Sequence, residues 1–156
     1  MSANARDHAG VLLPPPLVYL GVLVAGLALQ YFSPLAPWAG PFSRVAGLGL
    51  VVAGLLLSAT AAPRFRRAGT ALRPNLPTTA LVTSGPYRYS RNPLYLSATM
   101  VVMGAGLALG NAWILLMLVP AMILVQRGIV QREEEYLEAK FGDTYREYKA
   151  RVRRWV

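Results

Sequence analysis

The chain has 156 residues, enough for one domain, and it is 54% hydrophobic with only 15% charged residues. It contains no Cys and a single His, His8, which excludes disulfides, thiolate chemistry, cysteine metal sites and any multi-histidine metal centre. The net charge of +9 is unevenly placed: residues 9–43 and 92–126 carry no charge, and the sixteen basic residues fall almost entirely into 64–91 and 127–154.

Uncharged runs of that length point to a membrane. The two basic blocks are then cytoplasmic segments under the positive-inside rule, with contact to anionic lipid in addition. This explains the charge better than a nucleic-acid surface does. Residues 1–10 are polar and nearly neutral. No small-residue cleavage site clearly follows the first apolar run, so no signal peptide is expected.

Residues 14–32 are predicted to form the first spanning helix, introduced by Pro14-Pro15-Pro16 and ended by Tyr31-Phe32. Residues 33–41, with Pro34, Pro37, Trp38 and Gly40, form a short external loop whose Trp suits an interface. Residues 44–62 form the second helix, rich in Gly and Ala. Small residues let helices approach closely in lipid, so Gly21, Ala25, Gly47 and Gly54 are read as packing residues. Residues 63–91 are a basic segment in which Pro63, Pro74, Pro77 and Pro86 argue against one continuous helix. A loop of that size is usually functional or disordered.

As a single helix, 92–126 would be roughly 50 Å long against a hydrocarbon core of about 30 Å. Gly110-Asn111 is a turn signal near its middle, so two helices are expected, 93–109 and 112–128. Gly106 and Gly110 make a GxxxG pair beside the turn. Two helices also return both basic segments to one side. Pro120 should kink the fourth helix, as a packing feature or as the wall of a substrate cleft. After Arg127 the chain turns polar, and the helix is expected to continue to about Lys140. Phe141-Gly142 is a stop and Asp143 a cap for a last short helix. Leu137, Phe141, Tyr145, Tyr148 and Val152 share one apolar face. Arg151, Arg153, Arg154 and Trp155 read as an interfacial anchor.

Chemistry concentrates in Gly85-Pro86-Tyr87-Arg88-Tyr89-Ser90-Arg91-Asn92-Pro93-Leu94-Tyr95. Pro93 can open a helix at its first position, with Asn92 placed as a cap. The free N–H groups there, with Arg88 and Arg91 beside them, suit an anionic group. Every acidic residue except Asp7 lies between Glu133 and Glu147. The basic loop and the acidic helix should therefore fold over one another at the membrane surface. Glu135, Glu138 and Glu147 are expected to make routine surface pairs, each worth well under ~1 kcal/mol. For Glu133 and Glu134, spacing alone leaves a surface role and a site role equally open.

Taken in order, these residues resemble a known family. Gly85-Pro86-Tyr87, Arg91-Asn92-Pro93-x-Tyr95, Glu133-Glu134-x-x-Leu137 and Phe141-Gly142-x-x-Tyr145-x-x-Tyr148 are similar to the signature of the isoprenylcysteine carboxyl methyltransferase and phospholipid methyltransferase superfamily. Gly69-Thr70 resembles a pair seen upstream in bacterial members. The resemblance covers roughly residues 65–156. The sequence departs at Asn92, where many carboxyl methyltransferase members have His.

The uncharged runs predict an all-α integral membrane protein of four transmembrane helices, and the resemblance adds a cofactor site at their cytoplasmic end. The cytoplasmic loop and C-terminal helices would form a site for S-adenosylmethionine without a dinucleotide-binding fold. One domain, 1–156, would comprise two N-terminal spans (1–62) and a motif-bearing catalytic part (63–156). Gly85 and Tyr87 would wrap the cofactor, Arg91, Asn92, Pro93 and Tyr95 would wall it, and Glu133 and Glu134 would bind its polar groups. Arg91 and Glu134 are the residues on which catalysis would depend.

No His stands near the site as a base, which favours an acceptor that is already anionic. The expected activity is carboxyl O-methylation of an isoprenylcysteine-type, prenylated molecule, with N-methylation of a phospholipid amine as the alternative. A nicotinamide-dependent membrane reductase and a non-catalytic lipid-binding scaffold are the remaining readings. Expected partners are membrane lipid or a prenylated small substrate and the bilayer itself, with no nucleic acid and no metal. The Ala-, Gly- and Arg-rich composition points to a bacterial source and hence an inner membrane, and four spans with both basic segments on one side place both termini in the cytoplasm.

Overall fold

The computed structural model describes residue 10 and residues 14–35, 38–72 and 76–156. Asp7, His8, Pro37, Arg73 and Pro74 lie outside these. The described residues are helical, with no strand among them. The elements in order are α1 (Pro15–Phe32), α2 (Pro41–Arg67), a 3₁₀ turn (Gly85–Arg88), α3 (Pro93–Leu109), α4 (Ala112–Val125), a π-helical turn (Gln126–Val130), α5 (Gln131–Phe141) and α6 (Asp143–Arg151).

Among the described residues, three stretches are long and apolar enough to cross a membrane: Pro15–Phe32, Pro41–Arg67 and the continuous Ala112–Phe141. With its 17 residues, α3 is apolar but shorter, roughly 25 Å at 1.5 Å per residue. The outer faces of α1, α2 and α4 expose Leu20, Val24, Val45, Leu48, Val52, Leu116, Val119 and Ile123. A soluble protein would bury such a belt, whereas lipid solvates it.

Central to the bundle is α3, which touches α1, α2 and α4. It packs against α2 with the two backbones nearly in contact. A methyl group placed on Gly47 would lie 2.5 Å from the Ala108 nitrogen, and one on Gly104 2.5 Å from the Gly47 oxygen. Gly54 faces Ser97 in the same way, so Gly47 and Gly54 are packing residues as expected. Gly21 is not: nothing lies within 4 Å of where its side chain would be. With Ala25 and Pro120 it lines an open apolar groove between α1 and α4.

The expected turn at Gly110-Asn111 is present. Gly110 adopts a left-handed φ of 62° and ends α3. Asn111 caps α4 by accepting the Ile114 N–H at 3.1 Å, and it donates to the Gly26 carbonyl of α1 at 3.2 Å. At the opposite end of α1, the Tyr19 hydroxyl meets Thr99 of α3 at 3.0 Å. These contacts, with Gly47 against Ala108 and Gly54 against Ser97, bring the end of α2, the start of α3 and the end of α4 to one end of the bundle. Both basic segments therefore lie at that end.

Several features differ from expectation: the second helix starts at Pro41 rather than at residue 44, and Gly142 rather than Asp143 stands at the cap position of α6. The second helix runs to Arg67 instead of stopping at residue 62, because Pro63 is accommodated inside it. It ends at Gly69-Thr70, where the Gly69 N–H bonds the Arg66 carbonyl at 3.2 Å and the Thr70 N–H the Phe65 carbonyl at 3.1 Å. Arg64, Arg66 and Arg67 are thus on a helix end, where their charge complements the dipole. The long last helix is also interrupted at Gln126–Val130 by the π turn. One extra residue there rotates everything beyond it by about 100°, and so sets the direction of Glu133 and Glu134.

Candidate functional site

The site is built where the basic loop reaches α3 and the long helix passes into α5. Pro86 and Tyr87 sit in the 3₁₀ turn, and Tyr87 is buried against Phe65 with ring centroids 5.6 Å apart. Gly85, with φ 64°, lets the chain turn against the Arg64 guanidinium. The Tyr148 hydroxyl of α6 donates to the Tyr87 carbonyl at 2.7 Å and holds the turn in place. Tyr145 and Tyr148 both face inward, so the predicted apolar face of the last helices is used for docking.

Pro93 occupies the first position of α3, fully buried. Asn92 stands at the cap position, but its side chain does not cap the helix. Its amide donates instead to the Arg154 carbonyl at 3.0 Å. The Ser90 hydroxyl bonds the same carbonyl at 3.3 Å, and the Arg91 N–H bonds the Arg153 carbonyl at 3.0 Å.

At the centre is Glu134, only 5% exposed. Arg91 Nη1 lies 3.2 Å from Glu134 Oε1, at ion-pair distance but out of line for a hydrogen bond. Arg154 grips the same carboxylate with both ends of its fork, Nε to Oε1 at 3.1 Å and Nη2 to Oε2 at 2.7 Å. Two guanidiniums therefore face one carboxylate. The Arg91 side chain is 9% exposed, and its Nε has no hydrogen-bond partner among the described residues. Burial and Glu134 push the Tyr145 hydroxyl up to about 12, with Arg91 acting against them.

A second cluster adjoins the first. Tyr95 donates its hydroxyl to Glu133 Oε1 at 2.8 Å. Part of Glu133 reaches the surface, but its carboxyl group is sunk among protein atoms and no basic group pairs with it among the described residues. Burial pushes that carboxyl up to about 7, with the Tyr95 bond opposing the shift and Glu134 adding to it. Burial raises the Tyr87 hydroxyl too, with Tyr148 and Glu133 contributing. That hydroxyl is buried without a hydrogen-bond partner among the described residues.

Of the residues singled out in the sequence, Arg91, Asn92, Tyr95, Glu133 and Glu134 are drawn together by these contacts, and Tyr87 borders them. Gly85 and Pro93 shape the backbone, with Gly85 turned towards Arg64. The expected surface pairs are represented by Lys149 with Glu138 at 3.0 Å. Arg154 and Trp155 are not a free interfacial anchor: Arg154 belongs to the site, and Trp155 donates to Gln126 of the π turn at 3.0 Å. Among the described residues no three His, Cys, Asp or Glu side chains converge as metal ligands.

An uncharacterized protein of Haemophilus influenzae is 41% identical over 63 residues, which are 40% of this chain and the whole of that protein. The protein-S-isoprenylcysteine O-methyltransferase of Schizosaccharomyces pombe is 38% identical over 74 residues, 46% of this chain but only 30% of the yeast protein. Residues 42–144 match the phospholipid methyltransferase family. That match takes in α2, the basic loop, α3, α4, the π turn and α5. The chain belongs to the phospholipid methyltransferase family, and this membership, together with the apolar helices, supports a membrane methyltransferase.

Proposed function

We propose that the chain is an S-adenosylmethionine-dependent methyltransferase that modifies a lipid-like acceptor, most directly a carboxylate on an isoprenylcysteine-type molecule. The observation that carries this reading is the buried Arg91–Glu134 contact at 3.2 Å. It joins the loop motif to the acidic motif at the bundle end where both basic segments meet. We further propose that α3 is a fourth span, that this end is cytoplasmic, and that both termini lie there, in a bacterial inner membrane. The charge distribution supports this. Residues 1–156 then act as one methyltransferase domain.

The residues present fit the cofactor. Its amino-acid portion is zwitterionic, and the site has two poles. Arg91, with a buried Nε lacking a partner, suits the carboxylate. Glu133, buried without a cation, suits the ammonium. The Tyr87 and Tyr95 rings and hydroxyls border the same space and suit the sulfonium, the adenine or the ribose. Gly85, Asn92 and Pro93 shape the wall. When bound, the cofactor supplies an activated methyl group. The chain contributes position: holding donor and acceptor in line can supply on the order of 7–11 kcal/mol in ideal cases. Glu134 fixes the arginines rather than moving a proton.

No His lies among the site residues, so the one candidate base for an amine near neutral pH is the Glu133 carboxyl, the same group that would hold the cofactor's ammonium. An ionised carboxylate needs none, and the name of the yeast relative agrees with such an acceptor. The family match favours a second reading, N-methylation of a phospholipid amine. In that case Glu133 or water would take the proton. The test is mass spectrometry of lipid extract and of a prenylcysteine, each incubated with the protein and isotopically labelled S-adenosylmethionine. A labelled ester on the prenylcysteine supports the first reading, and a labelled amine headgroup the second. Label in neither would overturn both.

A further inference from the structure

After α6 the chain leaves the helix at Val152, and three consecutive residues tie it across the site. The carbonyls of Arg153 and Arg154 take the Arg91 N–H, the Asn92 amide and the Ser90 hydroxyl. The Arg154 fork holds Glu134, and Trp155 is bonded to the π turn. Five hydrogen-bonded partners on three segments, the loop before α3, the π turn and α5, are more than a terminal anchor requires. The segment 152–156 is a strap across the loop motif and the acidic motif.

Charge decides what the strap is for. Glu134 already faces two guanidiniums, so a ligand ammonium brought to it would enter a locally positive field. A ligand anion would instead neutralise the surplus charge. Arg91 keeps a buried, unused Nε. The Arg154 side chain, at 30% exposed, is the open arm of the pair. A carboxylate arriving from the open side meets Arg154 first, while Glu134 holds both guanidiniums in a fixed orientation.

We infer that Arg154 is a ligand-binding residue: with Arg91 it forms the carboxylate-receiving pole of the cofactor site, and the 152–156 strap carries it there. This rests on the cofactor reading above and adds to it a residue outside the recognised motifs. Asn92 has a role in the same arrangement, since its amide anchors the strap through the Arg154 carbonyl.

The test compares two ligands on the full-length protein in detergent. One is S-adenosylhomocysteine. The other is its decarboxylated analogue, which keeps the amine and lacks the carboxylate. Arg154→Gln should weaken the first by about 10- to 100-fold, the size expected for losing a charge-assisted bond. It should change the second by less than about threefold, and Arg154→Lys should recover part of the loss. Equal losses for both ligands would show that Arg154 only holds the fold, and would overturn the inference. So would unchanged affinity for S-adenosylhomocysteine. Failure of the wild-type protein to bind either ligand would instead overturn the cofactor reading, and this inference with it.

Discussion

Glu134 is the most constrained side chain of the site, a carboxylate in low-dielectric surroundings with a guanidinium on either side. Removing it leaves the buried Arg91 guanidinium and the partly exposed Arg154 guanidinium side by side without a counter-charge. Glu134→Ala should therefore lower stability by roughly 3–5 kcal/mol, read as a fall in thermal midpoint in detergent. Glu134→Gln keeps the shape and should cost less. Glu133 behaves differently because it lacks a cation. Its folded-state value, about 7, lies above the ordinary 4.5. Its contribution to stability is thus fully present below pH 4.5 and is lost as pH rises through 7. The stability difference between wild type and Glu133→Gln should follow that curve. Ligand binding should show the opposite trend, since an ammonium prefers the ionised carboxylate. Affinity for S-adenosylhomocysteine should rise between pH 6 and 8 in the wild type and stay flat in Glu133→Gln, as titration calorimetry would show. Arg91, Glu133 and Glu134 were legible because they stand in ordered motifs. Arg154 was not: a terminal run of arginines beside Trp155 has the composition of a membrane anchor, and no spacing rule links it to a carboxylate 20 residues away. The place of Asn92 was legible, but its use was not, because a cap position does not reveal which bond the side chain makes.

At the scale of elements, the long uncharged runs and the Gly110-Asn111 turn gave the number and order of the long helices, because exclusion of charge is the strongest mark that lipid leaves on a sequence. The end of α2 differs from expectation because Pro63 reads locally as a breaker, whereas Ala61 and Phe65 on either side of it are packed in a cluster with Val82, Tyr87 and Leu94. The π turn at Gln126–Val130 leaves no compositional trace, since it is a change of register rather than of residue type. Glycine packing offers a sharp contrast at this scale. Gly47→Leu inserts a side chain where the α3 backbone stands 2.5 Å away, and should destabilise by at least about 1–3 kcal/mol. Gly21→Leu meets open space and should leave the melting temperature nearly unchanged. Loss of stability in Gly21→Leu, or none in Gly47→Leu, would contradict the packing described for α2, α3 and α1.

For the molecule as a whole, the fold places the end of α2, the 3₁₀ turn, the start of α3 and the last two helices, α5 and α6, at one end of the bundle, and the loop after α1 at the other. The natural absence of Cys makes this directly testable with single introduced thiols. In inside-out vesicles, Ser84→Cys and Ala139→Cys should react with a membrane-impermeant thiol reagent, while Ala39→Cys should react only in right-side-out preparations. Reaction of Ser84→Cys and Ala139→Cys from opposite sides would break the proposed topology. The central claim is that the two motifs close around S-adenosylmethionine. The most direct measurement is the affinity of S-adenosylhomocysteine for wild-type, Arg91→Lys and Glu134→Gln proteins, each shown by circular dichroism to keep its helices. The account predicts saturable binding by the wild type and a loss of at least about tenfold in each variant; equal affinity in all three would contradict it.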